Sequence, residues 1–214
     1  MPNGAEILDG LTRIAESWRT LAVLWHIYSA LLVLFAFGLR PQNRLVGALL
    51  IPPLASVSVL AWLDGNPFNG AAFAALSVVL VALLSNVNGR PVGRTHSFWF
   101  LLGLSLVSFG WAYPHFLEGS PASAYLYAAP LGLIPCPSLS LVVGVTIIFC
   151  GLNARAWSLS LALAALFYGV FGALYLGVTI DWVLVGGGTG LLVLSIQQAA
   201  GGKSASHCRS VGRR

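Results

Sequence analysis

From Thr20 to Ile196 the sequence returns repeatedly to apolar runs on the order of 20 residues, the length an α-helix needs to cross a hydrocarbon core of roughly 30 Å. No Asp, Glu, Lys or Arg falls inside any of them. Such a chain cannot keep its surface in water, since 57% of its residues are hydrophobic and 8% charged, where a soluble domain carries about a quarter charged. The sequence predicts an all-α polytopic transmembrane helix bundle of about seven spans. They are Thr20 to Leu39, Leu45 to Leu63, Pro67 to Leu84, Ser97 to Tyr113, Pro137 to Leu152, Ala156 to Val178, and Trp182 to Gln198. Residues 20–198 form the membrane domain, flanked by an extracytoplasmic segment at 1–19 and a basic cytoplasmic tail at 199–214.

Charge segregates between the links. Arg40, Arg44, Arg90, Arg94, Arg155, Lys203, Arg209, Arg213 and Arg214 fall on one side, and Glu6, Asp9, Glu16, Asp64, Glu118 and Asp181 on the other. Cytoplasmic links carry the excess of Lys and Arg, so the N-terminus is expected outside and the C-terminus inside, in a bacterial inner (plasma) membrane. The net charge of +5 then reads as an orientation signal and not as a nucleic-acid footprint. Residues 1–19 mix acids with Arg13 and Arg19, so no cleaved leader is expected. Ile7, Leu8, Leu11, Ile14 and Trp18 recur there at helical spacing, which fits either an amphipathic helix lying on the bilayer or a solvated extension of the first span.

Ala165, Gly169, Ala173 and Gly177 recur every four residues, and Gly186 and Gly190 follow in the last run. Close helix contact is expected along these stripes, within the chain or between copies in a homo-oligomer. The run from Gly186 to Gly190 lacks the Lys and the preceding strand of a phosphate loop. Pro52 and Pro53 are expected to kink the second span.

The link from Tyr113 to Ser138 is too long for a tight turn and too apolar at its end for a free loop. Pro130 to Pro137 is expected to dip into the outer leaflet or to cap the bundle mouth, because non-helical backbone at that depth must be buried in protein or line water. Tyr113 and Pro114, Pro130, Gly132, and Pro135, Cys136, Pro137 and Ser138 stand here in order, with Asn66 and Pro67 upstream and Gly177, Val178 and Asp181 downstream. This pattern resembles the bacterial membrane-protein family called domain of unknown function 6064, whose most specific element is the Pro-Cys-Pro run. Two positions depart from it: Gly119 and Ser120 stand where the family shows Gly-His, and Tyr168 where it shows Trp. The resemblance implies a membrane fold and brings no activity with it.

Five side chains are candidates for function: His26, Asp64, His115, Glu118 and Cys136. His26 shares a helical face with Ala22, Ser29 and Val33, an interior stripe, and an ionisable residue inside a membrane is a functional hypothesis by default. Cys136 has its direction set by Pro135 and Pro137, and His115 is the nearest group that could activate it or share a metal. Asp64, Glu118 and His115 could form an external cation site. Asp181 reads as the N-cap of the last span. No two cysteines share the outer face, so no disulfide within the chain is expected. The absence of acids and bases inside the spans disfavours a proton-driven antiporter, and no HExxH, GxSxG or Walker motif supports an enzyme. Three functions remain: a permease-like or small-solute-binding protein with a cavity among spans one, two, four and five, a membrane-embedded thiol or metal-site protein, and an assembly subunit working through its small-residue faces. No cofactor is specified, and the expected partners are the bilayer and a small solute.

Overall fold

The computed structural model describes residues 4–117, 121–200 and 208–209. Those residues form α1 (Gly4–Ser17), α2 (Arg19–Gly38), α3 (Asn43–Leu63), α4 (Pro67–Leu83), α5 (Ser97–Trp111), a short α6 (Tyr125–Ala128), α7 (Pro135–Ile148), α8 (Arg155–Val170) and α9 (Trp182–Ala200). Two-residue strands, β1 (Arg94–Thr95) and β2 (Cys208–Arg209), pair antiparallel and bring the chain's tail beside the Arg90 link. The architecture is all-helical, and five helices are long and apolar enough to cross a membrane: Arg19–Gly38, Asn43–Leu63, Pro67–Asn86, Arg155–Tyr175 and Thr179–Gln198. Ser97–Trp111 and Pro135–Ile148 are apolar but shorter.

Helix α7 is the axis of the bundle. Every one of its residues except Cys136 is buried, as expected for a helix that is apolar all round, and it packs against α3, α5, α8 and α9. Its closest neighbour is α5, where Gly103 and Gly144 face each other so tightly that a Cβ on Gly144 would sit 2.6 Å from the Gly103 carbonyl oxygen. The predicted fifth span overruns its helix. After Ile148 the backbone turns left-handed through Cys150, Gly151, Leu152 and Asn153, a reversal that a run of apolar letters does not reveal. The Gln198 amide and the Ser158 hydroxyl donate to the Cys150 and Gly151 carbonyls in that turn. Cys150 is disulfide-bonded, which overturns the expectation of no disulfide; that expectation considered only the outer face.

Of the small-residue stripes, Gly169 and Gly190 face neighbours within the chain, a Cβ on Gly190 meeting Leu102 of α5, while Gly177 and Gly186 have nothing within 4 Å of a built Cβ. A Cβ on Gly169 would meet Val185 of α9, and one on Gly188 would meet Ala162 and Leu166 of α8. Helix α3 continues through Pro52 and Pro53 without a break. Pro53 has no N–H to offer the carbonyl of Leu49 four residues earlier, and the Tyr28 hydroxyl of α2 donates to that oxygen instead, at 2.7 Å. Tyr28→Phe is therefore expected to lower stability by about 1–2 kcal/mol, read as a fall in the unfolding midpoint of the detergent-solubilised protein, and an unchanged midpoint would show that the carbonyl needs no partner.

Helix α1 packs on the bundle through its apolar face. Leu11, Ile14 and Ala15 are buried, and together with Ile7 and Leu8 they join a cluster with Leu60, Tyr113, Phe116, Ile134 and Val178. Arg13 of α1 pairs with Asp64 after α3 at 3.3 Å. The amphipathic pattern thus roofs one end of the bundle, beside the buried link Ala129 to Ile134. That link satisfies its own backbone through bonds such as Leu133 N–H to the Pro130 carbonyl and Gly132 N–H to the Ser138 hydroxyl, as buried irregular backbone requires. It is buried in protein, as either expected arrangement requires.

Candidate functional site

Under the α1 roof lies a cavity of about 20 Å³, enough for one water-sized species. Its polar lining is Asp181, Cys136, Tyr113, Tyr168 and Asn69; apolar side chains including Ile7, Leu11, Phe116 and Val178 form the rest.

Local sequence explains how each polar group arrives. Pro135 and Pro137 occupy the first turn of α7, where backbone N–H groups have no helical partner anyway, so the double proline starts the helix, and Cys136 between them, the one residue of α7 that is not fully buried, lines the cavity. Asn66 caps α4 by accepting from the Asn69 N–H at 3.1 Å, with Pro67 in the first turn. That cap turns Asn69 inward, where its side-chain oxygen accepts from the Tyr168 hydroxyl at 3.1 Å. Tyr113 follows the end of α5 and is fully buried, its ring stacked on Phe116 and edge-on to Phe109.

Asp181 is brought in by an irregular return. Helix α8 loosens into one π-helical turn, Phe171–Tyr175, marked by the Leu176 N–H reaching the Phe171 carbonyl. Gly177, in left-handed conformation, reverses the chain, and the Val178 N–H closes onto the Gly172 carbonyl. Asp181 then lies over Gly172, so closely that a Cβ at 172 would overlap its carboxylate. Single π-turns inside α-helices recur at functional sites, and here the extra residue makes room for a buried acid.

Asp181 is 1% exposed. The Tyr113 hydroxyl donates to one oxygen at 2.7 Å and the Cys136 thiol to the other at 3.1 Å. Among the described residues only two ion pairs form, Arg13 with Asp64 and Arg19 with Glu16, so Asp181 has no cationic side chain against it. No known family model, curated protein or solved structure matches the chain.

The sequence-predicted residues separate in space. Asp181 does not act as a simple helix cap; both its oxygens are engaged by the site, and an acid that sequence placed outside the spans lies buried in the bundle. Cys136 is a free thiol, but its partner is Asp181, 45 residues away, and not His115, which is exposed with its ring against Phe116. A carboxylate is the opposite of the cationic neighbour that makes a cysteine reactive. Asp64 is held by Arg13, and Glu118 lies outside the described residues. Among the described residues no three His, Cys, Asp or Glu side chains converge as a metal would need.

His26 is buried between two backbone carbonyls, Nδ1 at 2.8 Å from Ala22 and Nε2 at 2.9 Å from Trp111. Trp111 ends α5, where carbonyls lack helical partners, so His26 ties α2 to that end. The cavity is also not where sequence placed it. It is built from α1, α4, α7, α8 and the approach to α9, together with the link after α5. Asn69 and Gly172 escaped sequence reading altogether; the Asn66-Pro67 start signal could have flagged the first, and nothing local flags the second.

Proposed function

We propose that the chain is a multi-pass, permease-like membrane protein that binds one small cation, of the size of hydronium or ammonium, at the Asp181 cavity. The observation that carries this reading is a buried carboxylate with a phenol and a thiol as its donors and no basic side chain beside it among the described residues. Unmatched charge in an apolar interior is costly enough to be neutralised or paired. A proton or one small cation does either, and the cavity has room for one. Carboxylates within membrane bundles mark ion and proton pathways.

Around this site the reading takes α5 and α7 as further spans, seven in all, in the plasma membrane with the N-terminus outside. That orientation rests on the sequence pattern, in which nine of the eleven basic residues fall in alternate links and the tail. The disulfide at Cys150, in one of those links, is the feature that pulls the other way, because disulfides persist where thiols are not kept reduced. Membership of the family called domain of unknown function 6064 belongs to the same proposal. The residues that carry the resemblance support it by bearing on one cavity: Asn66 through its cap, and Tyr113, Pro135, Cys136, Val178 and Asp181 in its wall.

The test uses purified protein in vesicles with an entrapped pH dye and an imposed inside-negative potential, with and without ammonium chloride outside. Wild type is expected to move protons or ammonium well above the protein-free rate, and Asp181→Asn, shown to be folded by its unfolding midpoint, to fall to that rate. A wild type no faster than empty vesicles, or a folded Asp181→Asn as fast as wild type, would sink the reading.

A further inference from the structure

At the opposite end of the bundle a second hollow, about 760 Å³, is lined by Arg40, Arg90, Arg94 and His96 together with Leu39, Pro91, Val92, Gly93, Thr95 and Ser97. Two links are bolted together to make it. The Asn43 N–H donates to the Arg90 carbonyl and the Val92 N–H to the Pro41 carbonyl, both at 2.9 Å, and Gln42 bridges Pro91. Asn88 locks the second link by accepting from both the Asn43 side chain and the Arg90 N–H. The Arg94 guanidinium lies 4.7 Å from the centre of the Phe37 ring, a stacking that fixes its plane. Arg40 holds a left-handed backbone, φ 48°, an unfavourable conformation for a residue with a side chain, of the kind retained where the surroundings impose it.

Three arginines thus line one space, and no acidic side chain among the described residues lines it with them. The described acidic residues are Glu6, Asp9, Glu16, Asp64 and Asp181, all at the roofed end or in its links. Forked, planar guanidinium donors match phosphate oxygens two at a time, and basic pockets at the ends of membrane helices take phospholipid headgroups. Leu39, in the wall of the hollow, is 75% exposed, apolar surface suited to the top of an acyl chain.

We propose that this hollow is a binding site for a phosphate monoanion or diester, supplied by an anionic phospholipid headgroup. It is independent of the Asp181 site, which lies at the other end. The experiment uses full-length protein stripped of lipid in a maltoside detergent, titrated separately with phosphatidylglycerol, phosphatidylcholine and inorganic phosphate, and read by unfolding midpoint and by retained mass in native mass spectrometry. Phosphatidylglycerol is expected to bind and stabilise where phosphatidylcholine does not. Each of Arg40→Gln, Arg90→Gln and Arg94→Gln is expected to raise the half-saturating concentration roughly fivefold, while Arg94→Lys loses less. Stabilisation by inorganic phosphate alone, with the same arginine dependence and displacement of phosphatidylglycerol, would assign the site to free phosphate and overturn the lipid source. Equal binding of the two lipids, or a triple Gln variant that binds phosphatidylglycerol like wild type, would overturn the site itself. These variants are at exposed positions, and wild type titrated against the two lipids decides the matter even where one of them folds poorly.

Discussion

A single methyl group at position 172 is expected to cost this protein about 3 kcal/mol of apparent stability. The Cβ of Gly172→Ala would enter the space of the Asp181 carboxylate. That carboxylate cannot swing aside freely, because Tyr113 holds one oxygen and Cys136 the other. Overpacking in a filled interior costs about 1–3 kcal/mol, and each bond to a charged group given up adds about 1.5–3 kcal/mol, so even partial displacement reaches the expected value. The same substitution in an Asp181→Ala background should cost less than about 1 kcal/mol, since the obstruction is gone; residues in one network are non-additive in this sense. Unfolding of all four proteins in one detergent gives the coupling, and additive effects would mean that Gly172 and Asp181 are not in contact.

The second large effect lies on the bundle axis. A side chain at Gly144 would meet the Gly103 carbonyl at 2.6 Å and the Val107 nitrogen at 2.8 Å, both backbone atoms, so α5 and α7 must separate. Gly144→Val is expected to lower stability by about 3 kcal/mol, the upper end of overpacking costs. Gly186 has nothing within 4 Å of a built Cβ, and Gly186→Ala should stay within about 0.5 kcal/mol of wild type or gain slightly from helix propensity. Equal effects at the two positions would show that the crossing is looser than its geometry.

The helices were legible because apolar length is a property of composition, and the membrane expectation rests on the same physics. Helix ends were less so. The predicted span ending at Leu152 stops at Ile148 because four consecutive left-handed residues follow, and backbone sign leaves no trace in hydropathy. At the site, the Pro-Cys-Pro run drew attention to the Cys136 thiol, while its partner was sought nearby at His115. The true partner comes from 45 residues away through a π-turn and a left-handed glycine that only the packed chain displays. Asp181 looked like a helix cap for the same reason: its position before α9 is local information, and its two donors are not.

The covered axis has a consequence for how such a chain could be made. At about 1.5 Å per residue the 14 residues of α7 reach about 21 Å, short of the roughly 30 Å of a hydrocarbon core. Protein, not lipid, surrounds it in the finished bundle. A segment of this kind gains little by leaving the insertion machinery alone, because its surroundings do not exist until α8 and α9 have been synthesised. On the proposed reading of α7 as a span, membrane entry and tertiary packing, separable for the longer helices, would become one event for this helix.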